Sequence, residues 1–173
     1  TGTAINEFVD NSIQAGASKV YVFVDPKISS IYIIDNGSGM SPEVLRYCVM
    51  WGGTHRSNSD IGWGRFGFGH PSAAFFLTDK YETFSKTKNG KWNSIQISLN
   101  DIKEDPDTNK LIDKETGIIR VPEVNLDVSL PNEVEEFLTK NKIQLESGTI
   151  THIKSESGSS TPHLTNKYIG LNR

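Results

Sequence analysis

The sequence lacks the features that mark secreted, membrane-spanning or nucleic-acid-binding chains. Cys48 is its single cysteine, so no disulfide can form within the chain. No apolar run approaches the roughly 20 residues that a membrane-spanning helix needs. The 18 basic residues are outnumbered by 21 acidic ones, and this balance gives no support to nucleic-acid binding. Together these features predict a reducing, cytoplasmic setting and no membrane partner.

The length of 173 residues is that of one domain, and the whole chain, 1–173, is predicted to form a single one. The chain opens at Thr1 directly on a helical pattern, so we expect it to be part of a longer protein. The stretch 101–117 is polar and rich in turn residues, which predicts an exposed insertion. A Ser- and Gly-rich composition predicts a loose C-terminal tail over 154–173.

Apolar periodicity and turn signals predict a set of helices and strands. Ala4, Phe8 and Ser12 recur at helical spacing, and Gly16 stands where that helix would end. Asn89 and Gly90 lie between two β-rich stretches, which is a strong hairpin signal. Helices are predicted at about 3–15, 41–49, 71–77 and 133–140, and strands at 19–25, 30–35, 80–88, 91–99 and 147–153. The stretch 52–69 shows neither the helical nor the strand periodicity, which predicts a long, functional loop.

Glu7 and Asn11 lie four residues apart on the first predicted helix, so their side chains share one face. Magnesium prefers hard oxygen ligands and completes its shell with phosphate oxygens and water, so the Asn11 oxygen suffices as a protein ligand. Glu7 is placed one turn earlier, where it would activate a water aimed at a terminal phosphate. Taken alone, the same pair also fits an ordinary polar helix surface.

A turn of sequence DNGSGM follows the second predicted strand at residues 35–40. Asp35 supplies a carboxylate at the end of the strand, and the two glycines let the backbone come close to a flat ligand. An ordinary Asn-Gly turn fits the same residues. The acidic spacing of a calcium-binding loop is absent.

The long loop ends in a glycine-rich segment, 62–71 (GWGRFGFGHP), that leads into a helix start. Glycines free backbone amides to bind phosphate oxygens, and a helix N-terminus adds its dipole. Residues 62–67 also spell the dinucleotide fingerprint G-x-G-x-x-G. That fingerprint should directly follow a buried strand, whereas the polar run 54–61 precedes it here, so a phosphate-binding lid is the favoured interpretation.

The ordered combination of E-x-x-x-N on a helix, D-x-G-x-G-M, a glycine-rich lid and a late Ser-Gly-Thr-Ile strand resembles the GHKL, or Bergerat-fold, ATPases. That superfamily includes gyrase-type topoisomerases, heat-shock chaperone ATPases, MutL mismatch-repair proteins, MORC proteins and sensor histidine kinases. The resemblance covers roughly 3–77 and 147–153, and the lid is most similar to the chaperone and MORC branches. It implies an α/β (α+β) two-layer sandwich, with a mixed, mostly antiparallel sheet and helices on one face.

The resemblance also implies roles for single residues. Glu7 matches the general base, Asn11 the magnesium ligand, and Asp35 the acceptor of a hydrogen bond from the adenine amino group. Further implied nucleotide contacts are Gly37, Gly39, Met40, Gly64, Arg65, Phe66, Gly67, Phe68, Gly69, His70 and Thr149.

The function that this resemblance implies is magnesium-dependent ATP binding and hydrolysis, which closes the lid and changes the conformation of a larger protein. ATP and Mg²⁺ are the implied cofactors, and the other domains of the parent protein and an ATP-dependent homodimer are the implied partners. Two alternatives stay open: the ATP-binding domain of a protein histidine kinase, and a nucleotide switch that does not hydrolyse ATP. Kinases of this superfamily have Asn where Glu7 stands, which favours hydrolysis.

Overall fold

The computed structural model describes residues 2–25, 29–49, 69–98 and 123–154. Every helix and strand predicted within these ranges is present, with bounds shifted by a few residues. The elements are α1 (Gly2–Gln14), β1 (Val20–Asp25), β2 (Ser30–Asp35), α2 (Pro42–Cys48), α3 (Gly69–Leu77), β3 (Lys80–Lys86), β4 (Asn93–Ser98), α4 (Asn132–Lys140) and β5 (Gly148–Lys154). The predicted insertion, 101–117, and the predicted tail beyond residue 154 lie outside the described residues. Lys154 itself is the last residue of β5 and does not belong to a tail.

The five described strands form one sheet in the order β1-β2-β5-β3-β4. Each of the four neighbouring pairs in this part of the chain is antiparallel. β5 therefore lies between β2 and β3, although it is the last described strand in the chain. This order brings the start of β5 next to the end of β2, where Asp35 lies.

Helix α1 buries one stripe of side chains and ends in a defined cap. Ala4, Phe8 and Ser12 are spaced by one turn and are at most 5% exposed. Gly16 has a φ of 76°, which suits glycine. The N–H of Gly16 donates to the carbonyl of Ile13 at 2.9 Å, and the N–H of Ala17 donates to that of Ser12 at 3.0 Å. This pair of hydrogen bonds is the Schellman motif, so the predicted role of Gly16 is confirmed.

Three helices cover one face of the sheet, as the sequence predicts. Phe8 of α1, Leu45 of α2 and Ala74 of α3 belong to a core that also contains Ile33 and Ile153 from the sheet. Ser41 caps α2 by accepting a hydrogen bond from the N–H of Val44 at 3.4 Å, and Pro42 occupies the first turn. Cys48 packs against this core, and burial raises the pKa of its thiol to about 12.

The second face of the sheet carries the fourth described helix, α4, which the expectation of helices on one face did not include. Val134 of α4 packs in a second core with Tyr32, Ile34 and Ile150. This explains why all six residues of β2 are buried, since that strand has a core on either side. The predicted two-layer α/β class is confirmed for helices α1 to α3 and the sheet, and α4 adds a partial cover to the other side.

The predicted hairpin is confirmed, but its turn differs from the two-residue Asn-Gly type. β3 and β4 pair in antiparallel register from Lys80 with Ser98 to Ser85 with Asn93. The N–H of Gly90 donates to the carbonyl of Thr87 at 2.9 Å, and Asn89 has a φ of 64°. Asn89 therefore supplies the left-handed conformation of a turn whose central pair begins one residue earlier than predicted.

Within the described ranges, no helix is both long and apolar enough to cross a membrane.

Candidate functional site

Asp35 lies at the end of β2 and is only 6% exposed. Its Oδ1 accepts hydrogen bonds from the N–H of Gly37 at 2.8 Å and the N–H of Thr149 at 3.2 Å. Its Oδ2 accepts one from the hydroxyl of Ser12 at 3.0 Å. Burial raises the pKa of Asp35, and these three donors oppose that rise. A carboxylate oxygen has two acceptor positions, so Oδ1 is fully used and Oδ2 keeps one position for a further donor.

Two glycines let the chain segments around Asp35 approach one another. Gly39 has a φ of 65°, and a Cβ built there would lie 1.8 Å from the carbonyl oxygen of Lys86. A Cβ built on Gly148 would lie 2.1 Å from the carbonyl oxygen of Asp35. Neither position accepts a side chain, because the obstacle in each case is backbone. The loop after β2 is thereby seated against the end of β3 and the start of β5.

Ser85 joins that loop to Thr149. Its hydroxyl accepts a hydrogen bond from the N–H of Met40 at 2.9 Å, and it lies 3.0 Å from both the carbonyl of Gly148 and the Oγ1 of Thr149. Ser147 adds a second tie, since its hydroxyl donates to the carbonyl of Gly37 at 2.7 Å. The structure thus brings Asp35, Gly37, Gly39, Met40 and Thr149 together, as their joint assignment to one pocket requires.

Three serines of this site were not found from the sequence: Ser12, Ser85 and Ser147. Ser12 carried a signal, since it occupies a position of the apolar helical stripe and yet has a hydroxyl. A polar group at a buried periodic position needs a hydrogen-bond partner. Ser147 is the serine of the Ser-Gly-Thr-Ile motif, although no role was predicted for it, and Ser85 stands among ordinary strand residues, where no pattern distinguishes it.

Glu7 and Asn11 lie on α1, and the residue that follows Asn11 contacts Asp35. Asn11 is followed by Ser12, which donates to the carboxylate of Asp35. Glu7 is exposed, Asn11 is partly buried, and the two are one helical turn apart. The hydrogen bond from Ser12 therefore holds α1, the helix that carries Glu7 and Asn11, against the end of β2.

The start of α3 lies beside Glu7. A Cβ built on Gly69, the first residue of α3, would lie 2.7 Å from Oε2 of Glu7. The first turn of a helix has N–H groups without intrahelical partners, and these favour anions together with the helix dipole. Glu7 and the N-terminal end of α3 therefore lie together at this end of the site. The other predicted lid residues, Gly64, Arg65, Phe66, Gly67 and Phe68, lie outside the described residues.

The ring of His70 contacts side chains of α1 and β3. Its Nε2 lies 3.2 Å from Oγ1 of Thr83, and its ring makes an edge contact with Phe8 at 5.1 Å between centroids. Tyr81 is a third ring neighbour, at 5.7 Å. Burial lowers the pKa of His70 to about 4, so the ring is neutral at pH 7. The side chain thus lies between α1 and β3, and its expected contact with phosphate stays a prediction.

The donor set on α1 fits magnesium in composition. Asn11 offers an amide oxygen and Glu7 a carboxylate, and both are hard oxygen donors of the kind that magnesium prefers. A magnesium ion that is bound with a nucleotide needs few protein ligands, because phosphate oxygens and waters complete its shell. Among the described residues no cluster of three or more His, Cys, Asp and Glu side chains is placed to hold a metal.

Comparison with known proteins identifies the family to which this fold belongs. The family model of histidine kinase-, DNA gyrase B- and HSP90-like ATPases matches residues 1–126. Because the match covers more than half of the chain, the protein belongs to this family. The predicted GHKL resemblance is confirmed, and the family as a whole is one of domains that bind and hydrolyse ATP.

Individual relatives match shorter segments. The DNA mismatch repair protein MutL of Borreliella afzelii is 44% identical over 57 residues, which is 32% of this chain and 9% of that protein. MutL of Microcystis aeruginosa is 40% identical over 47 residues, or 27% of this chain and 8% of that protein. Protein MICRORCHIDIA 5 of Arabidopsis thaliana is 31% identical over 104 residues, or 56% of this chain and 15% of that protein. The matched segments thus span only a small part of the relatives' length.

Proposed function

We propose that this chain binds ATP together with magnesium between α1, the loop after β2 and the start of α3, and that it hydrolyses the terminal phosphate. One observation carries the proposal: the hydrogen bond from Ser12 to Asp35 holds α1, the helix that carries Glu7 and Asn11, next to a buried carboxylate with one acceptor position left. ATP carries matching groups along its length: adenine has hydrogen-bond donors at one end, and the phosphates carry charge at the other.

The adenine ring is assigned to the Asp35 end of the site. Its exocyclic amino group would donate to the remaining position on Oδ2 of Asp35. The hydroxyl of Thr149, which already contacts Ser85 at 3.0 Å, supplies a second polar contact at the ring edge. Gly39 and Gly148 present backbone without side chains on either side of Asp35, which leaves room for a base to approach that carboxylate.

The phosphates are assigned to the opposite end, between Glu7 and the start of α3. Glu7 acts there as the general base, which accepts a proton from the water that attacks the terminal phosphorus. The N–H groups of the first turn of α3 receive the phosphate oxygens. By resemblance to the family we assign the glycine-rich lid to the same end, and lid closure is part of the proposal.

Asn11 is assigned as the protein ligand of magnesium. When bound, the metal neutralises charge on the triphosphate and so lowers the cost of placing it next to Glu7. Asn11 is neutral and presents one oxygen, whereas Glu7 keeps its carboxylate for the water. Asn11 thus binds the metal and Glu7 activates the water, so substitution of each residue should have a different effect.

We propose that this domain works as part of a larger protein. The MutL and MICRORCHIDIA relatives are much longer than the segments that match. We therefore propose that nucleotide binding here drives a conformational change in neighbouring domains, with an ATP-dependent homodimer as the expected closed state.

The test compares four variants in a calorimetric binding assay with a non-hydrolysable ATP analogue, with and without magnesium, and in a phosphate-release assay. Glu7→Ala should keep magnesium-dependent binding and lose about 10²- to 10⁴-fold in turnover, which is typical for loss of a general base. Asn11→Ala should lose the magnesium dependence of binding. Asn6→Ala, an exposed Asn elsewhere on α1, and Glu136→Ala, an exposed Glu on α4, are the matched controls.

Three outcomes would contradict the assignments. Undiminished phosphate release by Glu7→Ala would show that Glu7 is not the base. Phosphate recovered on a histidine rather than in solution would place the chain among the kinases. Nucleotide binding without turnover in any variant or in the parent protein would favour the switch.

A further inference from the structure

Two pairs of neighbouring residues define where α1 meets α3. Glu7 lies against Gly69, with 2.7 Å between its Oε2 and a Cβ built on that glycine. The next residue of each helix makes the next contact, since the rings of Phe8 and His70 meet edge to face at 5.1 Å. The position of the His70 ring and the distance from Glu7 to the start of α3 are therefore geometrically coupled.

The same ring is also attached to the sheet. Thr83 of β3 is 0% exposed, and its Oγ1 lies 3.2 Å from Nε2 of His70. Tyr81, two residues earlier and on the same face of β3, lies 5.7 Å away between ring centroids. The single side chain of His70 thus connects α3, α1 and β3. Its hydrogen bond to Thr83 fixes the orientation of the ring between these elements.

We propose that His70 is a positioning residue that anchors the first turn of α3 to Thr83 and thereby sets the separation between Glu7 and the phosphate-binding end of the site. The inference rests on the proposed ATPase function, because only that function gives Glu7 its role. It assigns His70 no contact with the nucleotide.

The hydrogen bond is what distinguishes this role from simple packing. Phe in place of His70 would fill nearly the same volume between Phe8 and Tyr81 but could not bond to Thr83. Gln carries an amide nitrogen at about the reach of the histidine Nε2 and can restore the bond without the ring. Val in place of Thr83 removes the other partner with little change of shape.

The experiment measures turnover and ATP affinity of the full chain with His70→Phe, His70→Gln, Thr83→Val and the double variant His70→Phe/Thr83→Val. Thr139→Val, an exposed threonine on α4, is the matched control. We expect His70→Phe and Thr83→Val each to lower kcat by about 3- to 10-fold, the range that loss of one neutral hydrogen bond allows. The dissociation constant of ATP should change by no more than about twofold, because ground-state contacts are kept.

The double variant should be no slower than the slower single variant, because both substitutions break one bond. His70→Gln should recover part of the loss. Unchanged kcat in both single variants, or additive losses in the double variant, would overturn the inference. So would a weaker ATP affinity with unchanged kcat, which would show that His70 contacts the nucleotide directly.

A protein that binds no ATP would refute the proposed function, and the anchor would then be tested by amide hydrogen exchange alone. His70→Phe and Thr83→Val should speed exchange in residues 69–77 relative to the Thr139→Val control. Equal exchange in all three would overturn the anchor as well. Failure of the function and failure of the inference thus give different results.

Discussion

Replacing Asp35 by asparagine should separate nucleotide recognition from folding, and the geometry around the carboxylate shows why. An asparagine oxygen can take the place of Oδ1 and accept from the N–H groups of Gly37 and Thr149, which lie at 2.8 and 3.2 Å in the unsubstituted chain. The asparagine NH₂ would then stand where Oδ2 stands. Ser12 can adapt, because its hydroxyl lies 2.9 Å from the carbonyl of Phe8 and can donate there while it accepts from the NH₂.

The adenine contact has no such adaptation. The second N–H of the introduced asparagine would point at the position that Oδ2 of Asp35 offers to the adenine amino group, and two donors would meet. A buried polar group that is left unpaired costs about 1–3 kcal/mol, which is roughly a 5- to 150-fold loss of affinity. We therefore expect ATP binding by Asp35→Asn to weaken by a factor within that range.

The stability of Asp35→Asn should rise, although its affinity for ATP falls. Burial raises the pKa of Asp35 above its ordinary value, so the folded protein binds this proton more tightly than the unfolded chain does. The contribution of Asp35 to stability is then greatest at pH below the ordinary carboxyl pKa and declines as pH rises through the raised one. Asparagine does not titrate, so the variant should gain stability relative to the parent protein across that window and keep the gain at neutral pH.

Calorimetric titration with a non-hydrolysable ATP analogue measures the affinity, and urea unfolding at several pH values measures the stability. Asp127→Asn is the control, since this aspartate is an exposed partner of Lys91 far from the site in sequence. Tight ATP binding by Asp35→Asn would refute the adenine assignment. A marked loss of stability at neutral pH would refute the view that burial of the charge is the dominant cost.

Two glycine substitutions test the geometry further. Gly69→Ala should leave the fold intact, because the group within 2.7 Å is the flexible end of Glu7, but displacement of that carboxylate should lower kcat by about 10- to 100-fold with ATP affinity kept. Equal kcat values for this variant and the parent protein would argue against Glu7 as the base. Gly39→Ala should destabilise the protein by at least about 2 kcal/mol, because its φ of 65° is unfavourable for alanine and the new Cβ would meet the backbone of Lys86. Urea unfolding measures this loss, and a midpoint equal to that of the parent protein would contradict it.

Local sequence was sufficient to predict most helices and strands of the fold. Helix α1 could be predicted because Ala4, Phe8 and Ser12 repeat at the helical period and Gly16 provides the left-handed cap. The hairpin β3-β4 could be predicted because turn residues interrupt a β-rich stretch, although the turn centre moved by one residue. Glu7 and Asn11 were assigned correctly to one helix face because spacing alone determines which side chains share a face of a helix.

Tertiary structure decided what depends on contacts between distant parts of the chain. No local pattern indicates that β5 inserts between β2 and β3, and only this insertion brings Thr149 to Asp35. Ser85 and Ser147 joined the site for the same reason, since their importance lies in what they bond to. His70 is the clearest case: its place in a glycine-rich lid motif gives no indication of its contacts with Phe8 and Thr83, which exist only in the folded chain. The sequence determines the chemical groups and the local geometry that carries them, whereas burial and long-range hydrogen bonding determine which of those groups act together.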